Sequence, residues 1–181
     1  MKNWLFLFLI FNGLAFYNCK STRATPAETS SNRSSRSGSR AAHLEAFLPA
    51  ELLGAKRSNL GTKRVEISDK DVITVSAEYR GTDRMLRITI TDATSSAAGV
   101  AGLAPWIKGD VNSKDEHGYE RTTDIEGYKG YESYTRDDQS GQVSVVVNNR
   151  FIVSVDGERV SEGEPGRVLK TIDLKKLASL R

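Results

Sequence analysis

Paired segments of alternating apolar and polar residues constrain the fold of this chain more than any other feature. Residues 71–80 and 84–92 alternate in this way, and so do residues 142–148 and 151–156, which flank the turn residues Asn148–Asn149. A period of two is typical of strands that bury one face, and short turns between such strands favour hairpins. The sequence therefore predicts two antiparallel hairpins, with these inward positions: Ile73, Val75, Ala77, Tyr79, Leu86, Ile88, Ile90, Val143, Val145, Val147, Phe151, Val153 and Val155.

Other patterns predict helices and further strands. Apolar residues at helical spacing predict helices over residues 43–53 and 97–107. Pro49 leaves open two turns around a break in the first, and Pro105 predicts a break in the second. Pro165 begins a C-terminal helix because proline suits a first helical turn, and Asp173 caps a second short helix. The further strands are residues 62–68 and two strands within residues 119–135, before and after Glu126–Gly127. A polar loop is predicted from residue 108 to residue 118.

The order of these elements predicts one domain of the α+β class over residues 43–181. It consists mainly of an antiparallel sheet with helices packed on it. The order resembles that of the PsbP-like fold. The stretches EYRGTDRMLRITITDA, VVVNNRFIVSVDG and TIDLKKLASL also resemble a group of bacterial exported proteins, and that resemblance implies no known activity.

Residues 1–18 have the layout of an export signal. Lys2 supplies a positive start, and residues 4–17 are apolar except for Asn12 and Gly13. The apolar run ends at Cys19, the only cysteine of the chain. It is shorter than the roughly 20 residues that a transmembrane helix needs. A single cysteine also excludes an internal disulfide, so the domain must fold on its core alone.

Residues 1–19 resemble the signal peptide of a bacterial lipoprotein, and the residues that carry the resemblance are LAFYNC at positions 14–19. Tyr17 and Asn18 stand where that family has small residues. The resemblance implies cleavage before Cys19, acylation of Cys19 by chains such as palmitate, and anchoring to a membrane of the cell envelope. Lys20, in place of the aspartate of inner-membrane lipoproteins, favours a periplasmic position at the outer membrane. The alternatives are an ordinary signal peptide with an incidental cysteine and an uncleaved anchor.

Residues 19–42 are rich in Ser and Arg and contain almost nothing to bury, so they are predicted to form a disordered tether. Residues 20–42 contain five basic residues and one acidic residue, a net charge of +4, whereas residues 43–181 carry a net charge of −2. The tether is either a solvated spacer or an element that is attracted to an anionic membrane. Nucleic acid is not expected as a partner of an exported chain.

The sequence predicts no catalytic residue, no metal site and no cofactor. His43 and His117 are the only histidines, and the acids around His117 indicate either a metal-attracting loop or, as we expect, a solvated turn. No Gly-x-Ser-x-Gly hydrolase motif occurs, and Gly99–Gly102 lacks the Lys-Ser/Thr of a phosphate loop.

The one indication of a site is a concentration of tyrosines between residues 119 and 134. Tyrosine is favoured at contact surfaces because it joins an apolar ring to a polar hydroxyl. Tyr128 and Tyr134 share one face of the predicted strand, and Tyr131 takes the other. The rings are either a recognition surface or caps at the edge of the core. The residues of the candidate surface are Tyr119, Arg121, Tyr128, Lys129, Tyr131, Tyr134 and Arg136.

The expected function is a lipid-anchored bacterial envelope protein that acts as a non-catalytic binding or structural module. Its partner would be an envelope protein or a small ligand. Two other functions stay open: an enzyme that acts on envelope or cell-wall substrates through carboxylates, and a periplasmic carrier of a small molecule.

Overall fold

The computed structural model describes residues 38–67, 70–93 and 97–180. The signal peptide, Cys19 and residues 20–37 of the predicted tether lie outside the described residues. The helices are α1 (residues 38–45), α2 (Ala97–Leu103), a 3-10 helix (Pro105–Lys108), α3 (Glu164–Leu169) and α4 (Leu174–Ala178). The strands are β1 (Glu51–Leu52), β2 (Ala55–Ile67), β3 (Lys70–Arg80), β4 (Met85–Asp92), β5 (Asn112–Lys114), β6 (Gly118–Ile125), β7 (Tyr128–Thr135), β8 (Ser140–Val147) and β9 (Phe151–Glu158).

The nine strands of the described residues form one antiparallel sheet in the order β1-β2-β3-β4-β9-β8-β7-β6-β5. The predicted β3–β4 and β8–β9 hairpins are confirmed, as are the two strands on either side of Glu126–Gly127. Asn148 and Asn149 take positive φ angles of 50° and 49° in the β8–β9 turn. The joint between the two hairpins is the pairing of β4 with β9, in which Ile90 lies opposite Val153.

One face of the sheet, here called the helix side, packs against α1, α3 and α4 and contains the main core. All the predicted inward positions of the two hairpins lie on this face, and each is at most 2% exposed. The helices contribute Leu44, Val168, Leu169, Leu174 and Leu177. The alternation of the sequence therefore identified the buried face of the sheet correctly.

The opposite face is covered only in part, by α2 and the 3-10 helix. Val100 and Ala104 pack there against Val146 and Ile152 in a second, smaller cluster. Pro105 ends α2, which confirms the predicted break. Leu103, the last residue of α2, is 47% exposed.

The described helices are short and few, so the domain is largely an antiparallel sheet and the α+β class describes it only loosely. The C-terminal helices begin as predicted. Pro165 lies in the first turn of α3, and the Asp173 carboxylate accepts a hydrogen bond from the Lys176 amide at 2.8 Å.

Three predicted elements are wrong in type or extent. Residues 43–53 do not form one helix: α1 ends at residue 45, and β1 follows it. Pro49 disfavours helical geometry in the residue before it, although Leu48 and Leu52 are still buried. The strand predicted over 62–68 is the end of a longer strand, β2. The predicted polar loop between residues 108 and 118 contains β5.

The predicted boundary between tether and domain at residue 43 falls inside α1, so residues 38–42 are ordered. Ala41 is buried in the core, and Arg40 donates to the carboxylate of Asp92 from Nε at 3.1 Å and from Nη2 at 2.8 Å. Composition indicated a solvated segment, but a partner 52 residues away in the sequence holds it on the sheet.

Candidate functional site

The structure divides the predicted tyrosine surface between the two faces of the sheet. Side chains of Tyr119, Arg121, Tyr128 and Tyr134 alternate onto the helix side of β6 and β7. Lys129 and Tyr131 occupy the opposite face. Arg136 lies after β7 and donates to the carbonyls of Asp115 and Glu116 at 2.9 and 3.0 Å. The seven residues therefore do not form one surface.

Tyr134 is a core residue. It is 8% exposed, and its hydroxyl donates to the Val160 carbonyl at 3.0 Å. Its ring lies 6.4 Å from that of Tyr119, centroid to centroid. Tyr128 is half-buried against the same core. For Tyr134 the interpretation as a core cap is therefore correct, and its ring offers no exposed contact surface.

Tyr119 and Arg121 form a network with Glu132. The Tyr119 hydroxyl donates to Glu132 Oε1 at 2.9 Å, and Arg121 donates to Oε2 from Nε at 3.1 Å and from Nη2 at 2.7 Å. Burial, followed by the hydrogen bond to the Glu132 carboxylate, raises the pKa of Tyr119 to about 12. Because these groups already bind one another, a ligand would have to displace strong charge-assisted bonds.

Lys129 and Tyr131 hold the 3-10 helix on the sheet. The Tyr131 ring stacks on Trp106 with centroids 6.0 Å apart, and its hydroxyl donates to Glu120 at 2.9 Å. Lys129 Nζ donates to the carbonyls of Ile107 and Gly109 at 3.3 and 3.0 Å and lies 2.9 Å from Asp110. The rings of Tyr131 and Trp106 are both half-buried, so each keeps an exposed part beside the uncovered part of the sheet.

That uncovered part, here called the open face, consists of the outward side chains of β3, β4, β9 and β8. Its central feature is a row of side chains that the strand register places side by side: Glu78, Arg87, Asp156 and Gln142. Arg87 Nη2 donates to Glu78 Oε1 at 2.5 Å, and Gln142 Nε2 donates to Asp156 Oδ1 at 2.9 Å. One shallow groove is lined in part by Glu78 and Arg87, and another by Asp156 and Gln142. Both grooves open to solvent.

Hydroxyl groups occupy two further rows of the open face. In one row Ser144 and Ser154 lie 2.8 Å apart, oxygen to oxygen, and the register continues through Thr89, opposite Ser154. In the next row Thr74 and Thr91 lie 3.0 Å apart. Hydrogen bonds across the strands therefore fix the orientation of these groups before any partner arrives.

The pKa values of Glu78 and Asp156, the two carboxylates of the central row, are displaced in opposite directions. Hydrogen bonds from Arg87, Asn59 and Arg80 lower the pKa of Glu78 to about 2. Burial raises the pKa of Asp156 above its ordinary value, against the opposing effects of Gln142 and Arg87. Residues with pKa values displaced in opposite directions are found both in active sites and in structural ion networks.

His117 lies in an exposed turn, with Nδ1 2.9 Å from the Asp137 carboxylate. Within the ranges that the structure describes, no group of three or more His, Cys, Asp or Glu side chains comes together as a metal site. The same described residues include no helix long and apolar enough to cross a membrane.

Sequence reasoning missed the open-face row. Each member stood at an outward position of a predicted strand, but only the pairing of β4 with β9 brings Arg87 next to Asp156. Comparison of this chain with protein-family models, curated proteins and solved structures finds no match.

Proposed function

We propose that this chain is a lipid-anchored protein of the bacterial cell envelope whose domain is a non-catalytic binding or structural module. The anchor is proposed at Cys19, and the outer membrane is its proposed location. Support for the anchor comes from residues 1–19, in which a basic start and an apolar run end at the only cysteine.

The open face is the observation that carries the binding role. Arg87 is exposed there, and Thr89, Gln142, Ser154 and Asp156 are half-buried. Glu78, Thr91 and Ser144 are only 8%, 9% and 5% exposed, so they support this surface from below. Cross-strand hydrogen bonds hold these groups in place, and the donors that they leave over, above all those of the exposed Arg87 guanidinium, can bind a partner while few side chains are ordered and little entropy is lost. A partner with many hydrogen-bonding groups suits such a surface best.

The two rival functions have less support. An enzyme would use Glu78 and Asp156, but Glu78 accepts hydrogen bonds from Arg80, Arg87 and Asn59, and both carboxylates lie beside shallow grooves. A carrier would need space between helices and sheet, where Leu169, Leu174 and Leu177 are fully buried in a packed core. The proposal also includes the α+β class and the PsbP-like order of elements, supported by helices that pack mainly on one side of a hairpin-built sheet.

Metabolic labelling with a fatty-acid analogue tests the anchor. The wild-type chain should incorporate the label and fractionate with membranes, whereas Cys19→Ala should do neither. Equal labelling of the two chains would refute acylation at Cys19.

Site-specific photocrosslinking in intact cells tests the open face. A photoreactive amino acid at Thr89, in the centre of the open face, should yield defined crosslinked products. The control position is Lys175, which is exposed on α4. If the products at Thr89 do not differ from those at Lys175, the open face is not the binding surface.

A further inference from the structure

Strand β2 has a long edge to which no described strand is paired. It pairs with β3 at Arg57 and Ser58 and again from Gly61 to Ile67, with a shift of register at residues 59–60, whereas β1 reaches only Ala55 and Lys56 on the other edge. Beyond Arg57, whose amide donates to the Ala50 carbonyl at 2.9 Å, this edge continues to residue 67 at the border of the sheet. Such an edge presents backbone donors and acceptors to any strand of matching register.

The strand register shows which residues of β2 direct their backbone N–H and C=O groups away from β3, toward the border of the sheet. The Gly81 amide donates to the Arg84 carbonyl at 3.0 Å, and pairs in an antiparallel ladder alternate from that point. Odd-numbered residues of β3 therefore bond to β4, and even-numbered residues such as Val72 bond to β2. Because Val72 lies opposite Val65, the backbone groups of Arg64 and Glu66 point away from the sheet.

The same edge exposes apolar side chains. Leu60, Val65 and Ile67 are 47%, 42% and 39% exposed, and they account for most of the exposed large hydrophobic residues in the described chain. Val65 and Ile67 project on one face of β2, and Arg64 and Glu66 project on the other. Large exposed apolar groups beside an unpaired strand edge are typical of an interaction surface.

We propose that two copies of this chain pair through β2, antiparallel and edge to edge, with Val65 on the two-fold axis. In this register Arg64 lies opposite the partner's Glu66, and Glu66 lies opposite the partner's Arg64. Outward backbone groups then meet outward backbone groups, and Val65 contacts its own copy. Asp71 uses the Arg64 donors Nε and Nη2, both at 2.9 Å, and the guanidinium has further N–H donors for the partner's carboxylate.

The charges of Arg64 and Glu66 favour this register over the two registers that are shifted by one residue. If the two-fold axis moves one residue toward the start of β2, Arg64 lies opposite the partner's Arg64. If it moves one residue toward the end, Glu66 lies opposite the partner's Glu66. Like charges directly opposite each other destabilise a strand pair, whereas opposite charges stabilise it. The two-fold symmetry also closes the assembly at two copies through this edge, because the interface is self-complementary.

Disulfide trapping of the full chain in membranes tests the pairing. At the proposed position, Val65 and its copy form a non-hydrogen-bonded pair with Cα atoms roughly 4.5 Å apart, which suits a disulfide. With a mild thiol oxidant, Val65→Cys should give a dimer on a non-reducing gel. Leu103→Cys, equally exposed but on α2, is the matched control, and the wild type reports any contribution of Cys19.

Charge exchange tests the register. In the Val65→Cys background, Arg64→Glu should reduce the dimer yield at least fivefold, and the double change Arg64→Glu/Glu66→Arg should restore it. In the double variant the cation moves from residue 64, diagonal to Asp71, to residue 66, directly opposite Asp71, so Asp71 still has a basic neighbour on β2. A yield for Val65→Cys no greater than that for Leu103→Cys would overturn the proposal, and so would failure of the charge exchange to restore the dimer. If the chain stays monomeric, the charges of β2 act only to prevent edge-to-edge pairing with other strands.

Discussion

The buried carboxylate of Asp92 provides the sharpest test of what stabilises this domain. Its side chain is 2% exposed, and it accepts hydrogen bonds from Arg40 at 2.8 and 3.1 Å and from Arg150 at 2.8 and 3.0 Å. Asp92 raises the pKa of the Arg150 guanidinium, as expected for a close ion pair. Asp92→Asn keeps the shape of the side chain, removes the charge that the two arginines share, and replaces one of the two acceptor oxygens with an amide donor.

The expected cost follows from the burial of the partners. Removing one member of a buried ion pair costs about 3–5 kcal/mol, because the remaining charge stays in a poorly solvated site. The Arg40 and Arg150 side chains are 27% and 17% exposed, so water screens part of the loss and the lower end, about 3 kcal/mol, applies. For a domain whose total stability is roughly 5–15 kcal/mol, that is a large fraction.

Urea denaturation followed by circular dichroism, on the chain without residues 1–19, measures this cost. Asp71→Asn is the matched control, because Asp71 receives equally short, two-pronged hydrogen bonds from Arg64 in a more exposed setting. It should lose no more than about 1 kcal/mol. If Asp92→Asn is no more destabilising than Asp71→Asn, burial does not determine the value of these pairs and the reasoning fails.

Three further changes test the core and the pH dependence of the domain. Phe151→Ala removes a ring that is 1% exposed and should cost about 3–5 kcal/mol; a urea midpoint near that of the wild type would contradict the β9 register. Tyr134→Phe should cost about 1–2 kcal/mol in the same assay, since it leaves the Val160 carbonyl without its donor, and Tyr134→Ser should cost more because the ring is buried. Because the folded-state pKa of Glu78, about 2, lies below its ordinary value of 4.5, its ionised form stabilises the domain fully above about pH 4.5; the stability difference from Glu78→Gln should shrink as the pH falls toward 2, and a constant difference would refute it.

The sequence was sufficient to predict the hairpins because alternation is a local signal. Phe151 and Val75 were identified as buried from neighbours two residues away, and the turn at Asn148–Asn149 followed from the residues themselves. The same reasoning failed at residues 43–53, where apolar spacing was compatible with both a helix and a turn that leads into a strand.

Distant contacts could not be predicted in this way. Arg40 reads as part of a polar, Ser-rich stretch until the fold places it against Asp92, and Arg87 meets Asp156 only because β4 pairs with β9. The contacts that the tyrosine segment makes with distant residues were equally beyond local patterns. Alternation correctly placed Tyr128 and Tyr134 on one strand face and Tyr131 on the other, but only the fold shows that the first face is the core and that Tyr131 stacks on Trp106.

The position of the Arg40–Asp92 bond has a mechanical consequence. Asp92 ends β4, which lies inside the sheet between β3 and β9, and Arg150 links the same carboxylate to the Leu180 carbonyl. A pull on the chain ahead of residue 38 therefore loads an interior strand and the C-terminal segment together, rather than peeling β1 from the border. Rupture must break several charge-assisted bonds at once, so the domain should resist tension along its N-terminal connection better than tension applied at a sheet edge.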